Sequence, residues 1–145
     1  MSHISITYHF VFSTYCRQPS INIDHEKELY KFINDIATQR GVTVRRIGGM
    51  PDHVHLLCDV PPKIAVAEFI KVLKGETSKF MRVNNHFPLW NGWSEGYGAF
   101  SVDASSRENR KKYIMNQKEH HSRISFLDEY REFLVEAGLS PELIE

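Results

Sequence analysis

The residues of this chain best suited to chemistry are two histidines one position apart, in the run His53-Val54-His55-Leu56-Leu57. Successive side chains of a β-strand point to opposite faces, so both imidazoles would share one face, roughly 7 Å apart along the strand. Imidazole nitrogens at this spacing can hold one divalent cation. The spacing alone does not distinguish a metal site from two ordinary strand histidines.

A second group of chemically useful side chains lies on a later segment with helical periodicity. Tyr113 and Gln117 are four positions apart and would be neighbours on one helix face, and His121 extends the same line. If this helix packs on the histidine face, a phenol, an amide oxygen and two imidazoles would meet in one site. The plainer interpretation is a tyrosine at the rim of the core, a solvated glutamine and a surface histidine.

The elements that must position these residues follow the order β-α-β-β-α-β and then two helices. The pattern predicts strands from Ile4, over 42–47, from His53 and over 97–102, and helices over 24–40, 64–84, 105–122 and 125–138. This order is typical of the ferredoxin-like α+β fold, an antiparallel four-stranded sheet with helices on one face. Here a tyrosine-bearing helix and a C-terminal helix are added. We expect a single domain over 1–145, with its β-α-β-β-α-β core in 1–104.

Composition sets limits on the class of protein. Hydrophobic residues make up 41% and charged residues 25% of the chain, as in ordinary globular proteins. No apolar run reaches the ~18 residues of a membrane span, and the N-terminus lacks the pattern of a signal peptide. The two cysteines, Cys16 and Cys58, form neither a disulfide framework nor a zinc motif. We therefore expect a cytoplasmic protein with no membrane partner.

The charge is balanced overall but unevenly distributed. Eighteen basic and 18 acidic residues give a net charge of zero, which argues against a strongly basic nucleic-acid binder. Residues 126–145 carry six acids and one base, a balance of −5, so residues 1–125 carry +5. We interpret the acidic segment as a solvated helix. The basic remainder is compatible with a phosphate-bearing partner.

Several motifs together resemble the HUH-type single-tyrosine transposases of small insertion sequences (the 200/605 group), which include repeat-associated tyrosine transposases. The resemblance covers nearly the whole chain. It is carried by Tyr8-His9-Phe10-Val11-Phe12, Met50-Pro51-Asp52-His53-Val54-His55-Leu56-Leu57, Leu73-Lys74-Gly75, Leu89-Trp90, Gly96-Tyr97, Ser101-Val102 and Tyr113-Ile114-x-x-Gln117.

The resemblance implies an enzyme that cuts and rejoins single-stranded DNA without a nucleotide cofactor. Tyr113 would be the nucleophile and would form a 5′-phosphotyrosine, while His53, His55 and Gln117 would hold Mg²⁺ or Mn²⁺. From its place on the same helix line, His121 is a candidate to support these ligands. Members of the family are homodimers that recognise DNA hairpins, and the tyrosine of one subunit can complete the histidine site of the other. Two imidazoles are an unusual set for Mg²⁺, which prefers oxygen.

Basic and aromatic side chains supply candidate DNA contacts. Four bases in the first half of the tyrosine helix are electrostatically misplaced there, which favours a phosphate ligand. The candidates for backbone phosphates and for stacking on unpaired bases are Arg45, Arg46, Lys74, Lys79, Arg82, Arg107, Arg110, Lys111, Lys112, Trp90 and Trp93.

Three alternatives stay open at this point. A domesticated repeat-associated relative would process chromosomal hairpins without moving its own gene, and the sequence cannot separate it from a mobile enzyme. A non-catalytic nucleic-acid-binding module can use the same fold, although the aromatic signature of such RNA readers is missing. A histidine-based phosphoesterase acting on small molecules would not need Tyr113.

Overall fold

A computed structural model describes residues 1–143; residues 144 and 145, which we assign to the same domain from the sequence, lie outside the described part. The strands are β1 (Thr7–Ser13), β2 (Thr43–Met50), β3 (His53–Asp59) and β4 (Gly98–Val102). The α-helices are α1 (Glu26–Gln39), α2 (Val66–Arg82), α3 (Arg107–Met115), α4 (Gln117–His120) and α5 (Phe126–Glu136). Within residues 1–143, no helix is both long and apolar enough to cross a membrane.

The four strands form one sheet in the order β2-β3-β1-β4, and every neighbouring pair is antiparallel. This arrangement confirms the ferredoxin-like fold expected from the order of elements. One face of the sheet is apolar, as the alternation in β3 predicts. Val54, Leu56 and Cys58 are fully buried there, in one cluster with the inward residues of α1 and α2, such as Leu29 and Phe69.

The opposite face of the sheet is covered by α3, α4 and α5. Leu57 of β3 packs with Val102 and Ile114, and a second cluster joins Val11 to residues of α5 such as Phe133. The tyrosine helix therefore packs on the histidine face, as the site hypothesis requires. The two helical layers bury most of the central strands β1 and β3.

Gly48 lets α3 approach β2 closely. The sequence pattern ends the second strand at Ile47, whereas β2 continues to Met50 and only Pro51 and Asp52 connect it to β3. A Cβ at position 48 would overlap the backbone carbonyl of Ile114 and lie 2.9 Å from its Cγ2. This glycine serves helix-to-sheet packing rather than a turn.

The helix predicted over 105–122 is divided in the structure. α3 ends at Met115 and α4 begins at Gln117, because Asn116 between them adopts φ −97° and ψ 22°. Asparagine competes with helical hydrogen bonding and favours helix ends. The helix predicted over 125–138 spans Phe126–Glu136, and its start is capped by Ser125, whose Oγ accepts from the Asp128 N–H at 3.3 Å.

Candidate active site

Strands β1 and β3 bring three imidazoles together on the buried polar face of the sheet. His53 and His55 have no exposed surface, and their ring centroids are 5.0 Å apart. His9 of β1 lies beside them with its Nε2 2.7 Å from Nδ1 of His55. Strand pairing places these side chains, since β1 and β3 are adjacent and the alternation turns each histidine to the same side.

His53 is arranged as a ligand for a cation. Its Nδ1 is 2.7 Å from Oδ1 of Asp52, and because a carboxylate only accepts, this nitrogen carries the proton. The Nε2 lone pair then faces Oε1 of Gln117 at 2.9 Å and Oε1 of Glu129 at 3.5 Å. Acceptor atoms converge in this way when a proton or metal ion lies between them. A carboxylate that accepts from the other ring nitrogen, as Asp52 does here, commonly orients a metal-binding imidazole.

The environment of His55 is a chain of hydrogen bonds. Arg110 donates to Nδ1 of His9 at 2.8 Å, so His9 donates from Nε2 to His55 and His55 donates from its own Nε2 to Glu129 at 2.8 Å. Burial lowers the pKa of His55 to about 4. The pKa of His9 also lies well below its ordinary value, first because His9 is buried and then because His55 and Arg110 are close to it. A cation at His55 Nε2 would take the place of that proton.

Tyr113 reaches the same site from α3. Its hydroxyl donates to Oε2 of Glu129, and its ring centroid is 5.9 Å from that of His55. Burial, and then the hydrogen bond and negative charge of Glu129, raise the pKa of the Tyr113 phenol. Tyrosine, histidines and glutamine of a single chain thus meet in one place, with the hydroxyl protonated.

Glu129 of α5 lies at the centre of the site, and the sequence interpretation missed it. The side chain has no exposed surface, so the expectation of a solvated acidic helix is wrong at this residue. Burial by itself would raise the pKa of Glu129, but hydrogen bonds from His121, His55 and Tyr113 together lower it, and the carboxylate is ionised. A signal was present, because Glu129 follows Phe126 by three positions and precedes Phe133 by four.

Gln117 and His121 surround this carboxylate. Gln117 is buried, and its Nε2 donates to Oε2 of Glu129 at 3.0 Å, which orients its Oε1 toward His53. His121 keeps 5% of its side chain exposed, with Nε2 3.0 Å from the same oxygen. Burial would lower the pKa of His121, but the contact with Glu129 raises it. His121 therefore lies beside the histidine pair and is nearly buried, with its ring centroid 4.5 Å from that of His53.

Four of the predicted DNA-contacting cations bind oxygen or nitrogen atoms of other segments of the fold, whereas the exposed Lys79 and Arg82 contact Glu76 and Ser78 of their own helix at 3.8 and 3.3 Å. Lys74 donates to the carbonyls of residues 94 and 96 at 2.7 and 2.8 Å, and burial lowers its pKa. Arg45 pairs with Asp59 at 2.7 Å, Arg107 donates to Thr7 at 2.8 Å, and Arg110 donates to His9. In this structure, Lys74, Arg45, Arg107 and Arg110 are therefore engaged in contacts within the fold.

The two predicted stacking tryptophans pack against the protein. The Trp93 indole N–H donates to Thr77 at 3.0 Å and its ring lies 4.8 Å from that of Phe12. Trp90 donates to Ser78 at 3.2 Å. Among the remaining predicted contacts, Lys79, Arg82 and Lys112 are exposed, whereas Lys111 and Arg46 are half-buried. Lys79 and Arg82 lie on α2, across the sheet from the tyrosine.

With this geometry established, comparison with known proteins defines the class. The family model described as "Transposase IS200 like" matches residues 2–117, so the chain belongs to the IS200-like transposase family. The ISDra2 transposase TnpA of Deinococcus radiodurans is 33% identical over 119 residues, covering 77% of this chain and 84% of the relative. The IS200 transposase of Salmonella typhimurium is 25% identical over 122 residues, covering 77% of this chain and 76% of the relative.

Two solved structures share the fold. A Deinococcus radiodurans protein described as a transposase, determined at 1.90 Å, superposes with a TM-score of 0.58 at 28% identity, covering 81% of this chain and 95% of the other. A REP-associated tyrosine transposase bound to a REP hairpin superposes with a TM-score of 0.64 at 14% identity, covering 86% and 76%. These findings confirm the resemblance to single-tyrosine transposases and identify this chain as a DNA-processing enzyme of that class.

Proposed function

We propose that this transposase cuts and rejoins single-stranded DNA through a covalent bond between Tyr113 and a 5′ phosphate, assisted by Mg²⁺ or Mn²⁺ held by His53, His55 and Gln117. The observation that carries the proposal is the convergence of a tyrosine hydroxyl with two buried imidazoles and an amide oxygen in a protein of the transposase family. No nucleotide cofactor enters the scheme, because the covalent intermediate conserves the energy of the broken phosphodiester.

The residues divide the chemistry as follows. The divalent cation, when bound, polarises the scissile phosphate and offsets the charge that develops on its oxygens. The Tyr113 oxygen attacks phosphorus, and the bond from phosphorus to the 3′ oxygen breaks. The phenol loses its proton and the departing 3′ oxygen gains one, so the step leaves a 3′ hydroxyl. Rejoining reverses these steps with another 3′ hydroxyl. The Tyr113 hydroxyl must first leave its hydrogen bond with Glu129.

The proposed substrate is single-stranded DNA with a hairpin, and the proposed site of action is the cytoplasm. The relative solved with a REP hairpin supports this substrate class by analogy. Exposed Lys112, one residue before Tyr113, is suited to hold a backbone phosphate near the nucleophile. We include a homodimer in the proposal because the family that this chain resembles forms homodimers. In this structure, one chain brings its own tyrosine and both histidines together.

The test is a denaturing gel of the protein with single-stranded DNA from the flanks of its own gene and Mn²⁺ or Mg²⁺. We expect a protease-sensitive protein–DNA band that disappears in Tyr113→Phe and in chelator. Tyr130→Phe is the matched control, since Tyr130 is a half-buried tyrosine of α5 that packs on Phe100. His53→Ala should abolish cleavage while hairpin binding largely survives.

Other outcomes would identify other functions. Cleavage without an adduct would point to a metal nuclease that uses water. Hairpin binding without cleavage would favour a binding module or an inactivated relative. An active enzyme whose flanking DNA shows no element ends would be a domesticated repeat-associated transposase. Loss of both folding and binding in His53→Ala would make this histidine structural.

A further inference from the structure

The two carboxylate oxygens of Glu129 face different partners. Oε1 is 2.8 Å from Nε2 of His55 and 3.5 Å from Nε2 of His53. Oε2 accepts from the Tyr113 hydroxyl and from Nε2 of Gln117. One oxygen therefore lies between the two imidazoles, and the other holds the proposed nucleophile.

We propose that Glu129 is a further ligand of the divalent cation, through Oε1, and that the same carboxylate links the cation to Tyr113. This inference rests on the proposed function and adds a residue from the C-terminal helix to the metal site. Glu129 lies outside residues 2–117, the part of the chain that matches the family model. The motif that identifies the enzyme therefore does not contain it.

The distances suit a metal ion with little rearrangement. One donor atom from each of His53, His55, His121 and Glu129 lies within 4.8 Å of all the others. Adjacent ligands of an octahedral ion with bonds of ~2.1 Å are roughly 3 Å apart. The separations of 2.8 and 3.5 Å between Oε1 and the two imidazole nitrogens bracket that value.

The chemistry of the donor set also favours this assignment. Two imidazoles and an amide oxygen are neutral, and such a set binds Mg²⁺ or Mn²⁺ weakly because these ions prefer oxygen and negative charge. Glu129 supplies a carboxylate oxygen in a buried position beside both imidazoles, where its attraction for a cation is strong. Two histidines and one carboxylate form a set well known for divalent transition metals.

The test is a titration of Mn²⁺ into the full chain, followed by calorimetry. Glu129→Gln keeps the shape of the side chain and removes its charge, and we expect the dissociation constant to rise at least tenfold. Glu132→Gln, one turn away on the exposed side of α5, is the matched control and should bind Mn²⁺ as the unmodified chain does. The double variant His53→Ala/His55→Ala provides the baseline, because a separate surface group of His25, Glu28 and His86 could also take up the ion.

The outcomes separate this inference from the proposed function. Unchanged affinity in Glu129→Gln, with binding lost in the double variant, would overturn the role of Glu129 and leave the histidine site standing. Unchanged affinity in the double variant would overturn the metal site itself. Circular dichroism checks that each variant folds. If Glu129→Gln does not fold, Glu129→Asp replaces it, and a shift in Mn²⁺ affinity without a shift at Glu132→Gln is again required.

Discussion

Strand β3 separates two regions of the molecule that are equally hidden from water and otherwise opposite in character. Toward α1 and α2 it presents Val54 and Leu56, which join one continuous apolar core. Toward α3 to α5 it presents His53 and His55, which bond to a buried carboxylate and an amide and pack against the ring of Tyr113. All four β3 side chains have no exposed surface. Burial by itself therefore does not identify which face stabilises the fold and which carries chemistry.

The difference shows how a small fold can hold a polar site in its interior. Each buried polar group left without a partner costs about 1–3 kcal/mol, whereas apolar burial contributes roughly 25 cal/mol per Å². The polar face limits its cost by pairing: His9, His55, Glu129 and Tyr113 are linked by consecutive hydrogen bonds. The apolar face supplies the stability that allows the polar arrangement to persist.

The largest effect on stability should come from the apolar face. Leu56→Ala removes a buried side chain from the main core, and we expect the free energy of unfolding to fall by about 3–5 kcal/mol. The adjacent Leu57→Ala, in the smaller cluster with Val102 and Ile114, should cost about 2–3 kcal/mol. Urea unfolding of both variants measures the difference. Equal losses would show that the two faces contribute alike.

A smaller effect should follow from the close contact between α3 and β2. Gly48→Ala forces the helix away from the strand, and we expect a loss of about 1–3 kcal/mol together with slower adduct formation by Tyr113. Gly75→Ala is the matched control, because a Cβ there meets no atom within 4 Å and lies in the interior of α2. Gly75→Ala should raise the free energy of unfolding by roughly 0.5–1 kcal/mol. Adduct formation at the wild-type rate in Gly48→Ala would show that α3 position does not control the nucleophile.

The smallest effect should distinguish the two faces in DNA binding. If the DNA lies on the tyrosine side, Lys112→Ala should weaken hairpin binding a few-fold and reduce the slope of log affinity against log salt by about 1. Lys79→Ala, an exposed lysine on α2 across the sheet, should leave both quantities unchanged. Fluorescence anisotropy over a range of salt concentrations measures them. The reverse result would place the DNA on the α2 side.

The sequence by itself determined the fold class and the face of β3 that carries chemistry, because strand alternation is a local geometric property. It also placed Tyr113 and Gln117 on one side of a helical segment, since a spacing of four residues sets neighbours on a helix. These inferences needed only the period of the elements. Their order then indicated a ferredoxin-like sheet, which the structure confirms.

Only the tertiary structure decided which side chains meet across elements separated in the chain. Glu129 enters the site because α5 folds back over the sheet, and the packing of α3 on β1 brings Arg110 to His9. Lys74 and Trp93, basic and aromatic residues that suggest DNA contacts in the sequence, are drawn into bonds within the fold. An isolated charge or ring can face solvent, DNA or another part of the protein with similar local geometry. Which of these partners the side chain contacts depends on packing between distant segments, and the spacing of neighbouring residues carries no information about that packing.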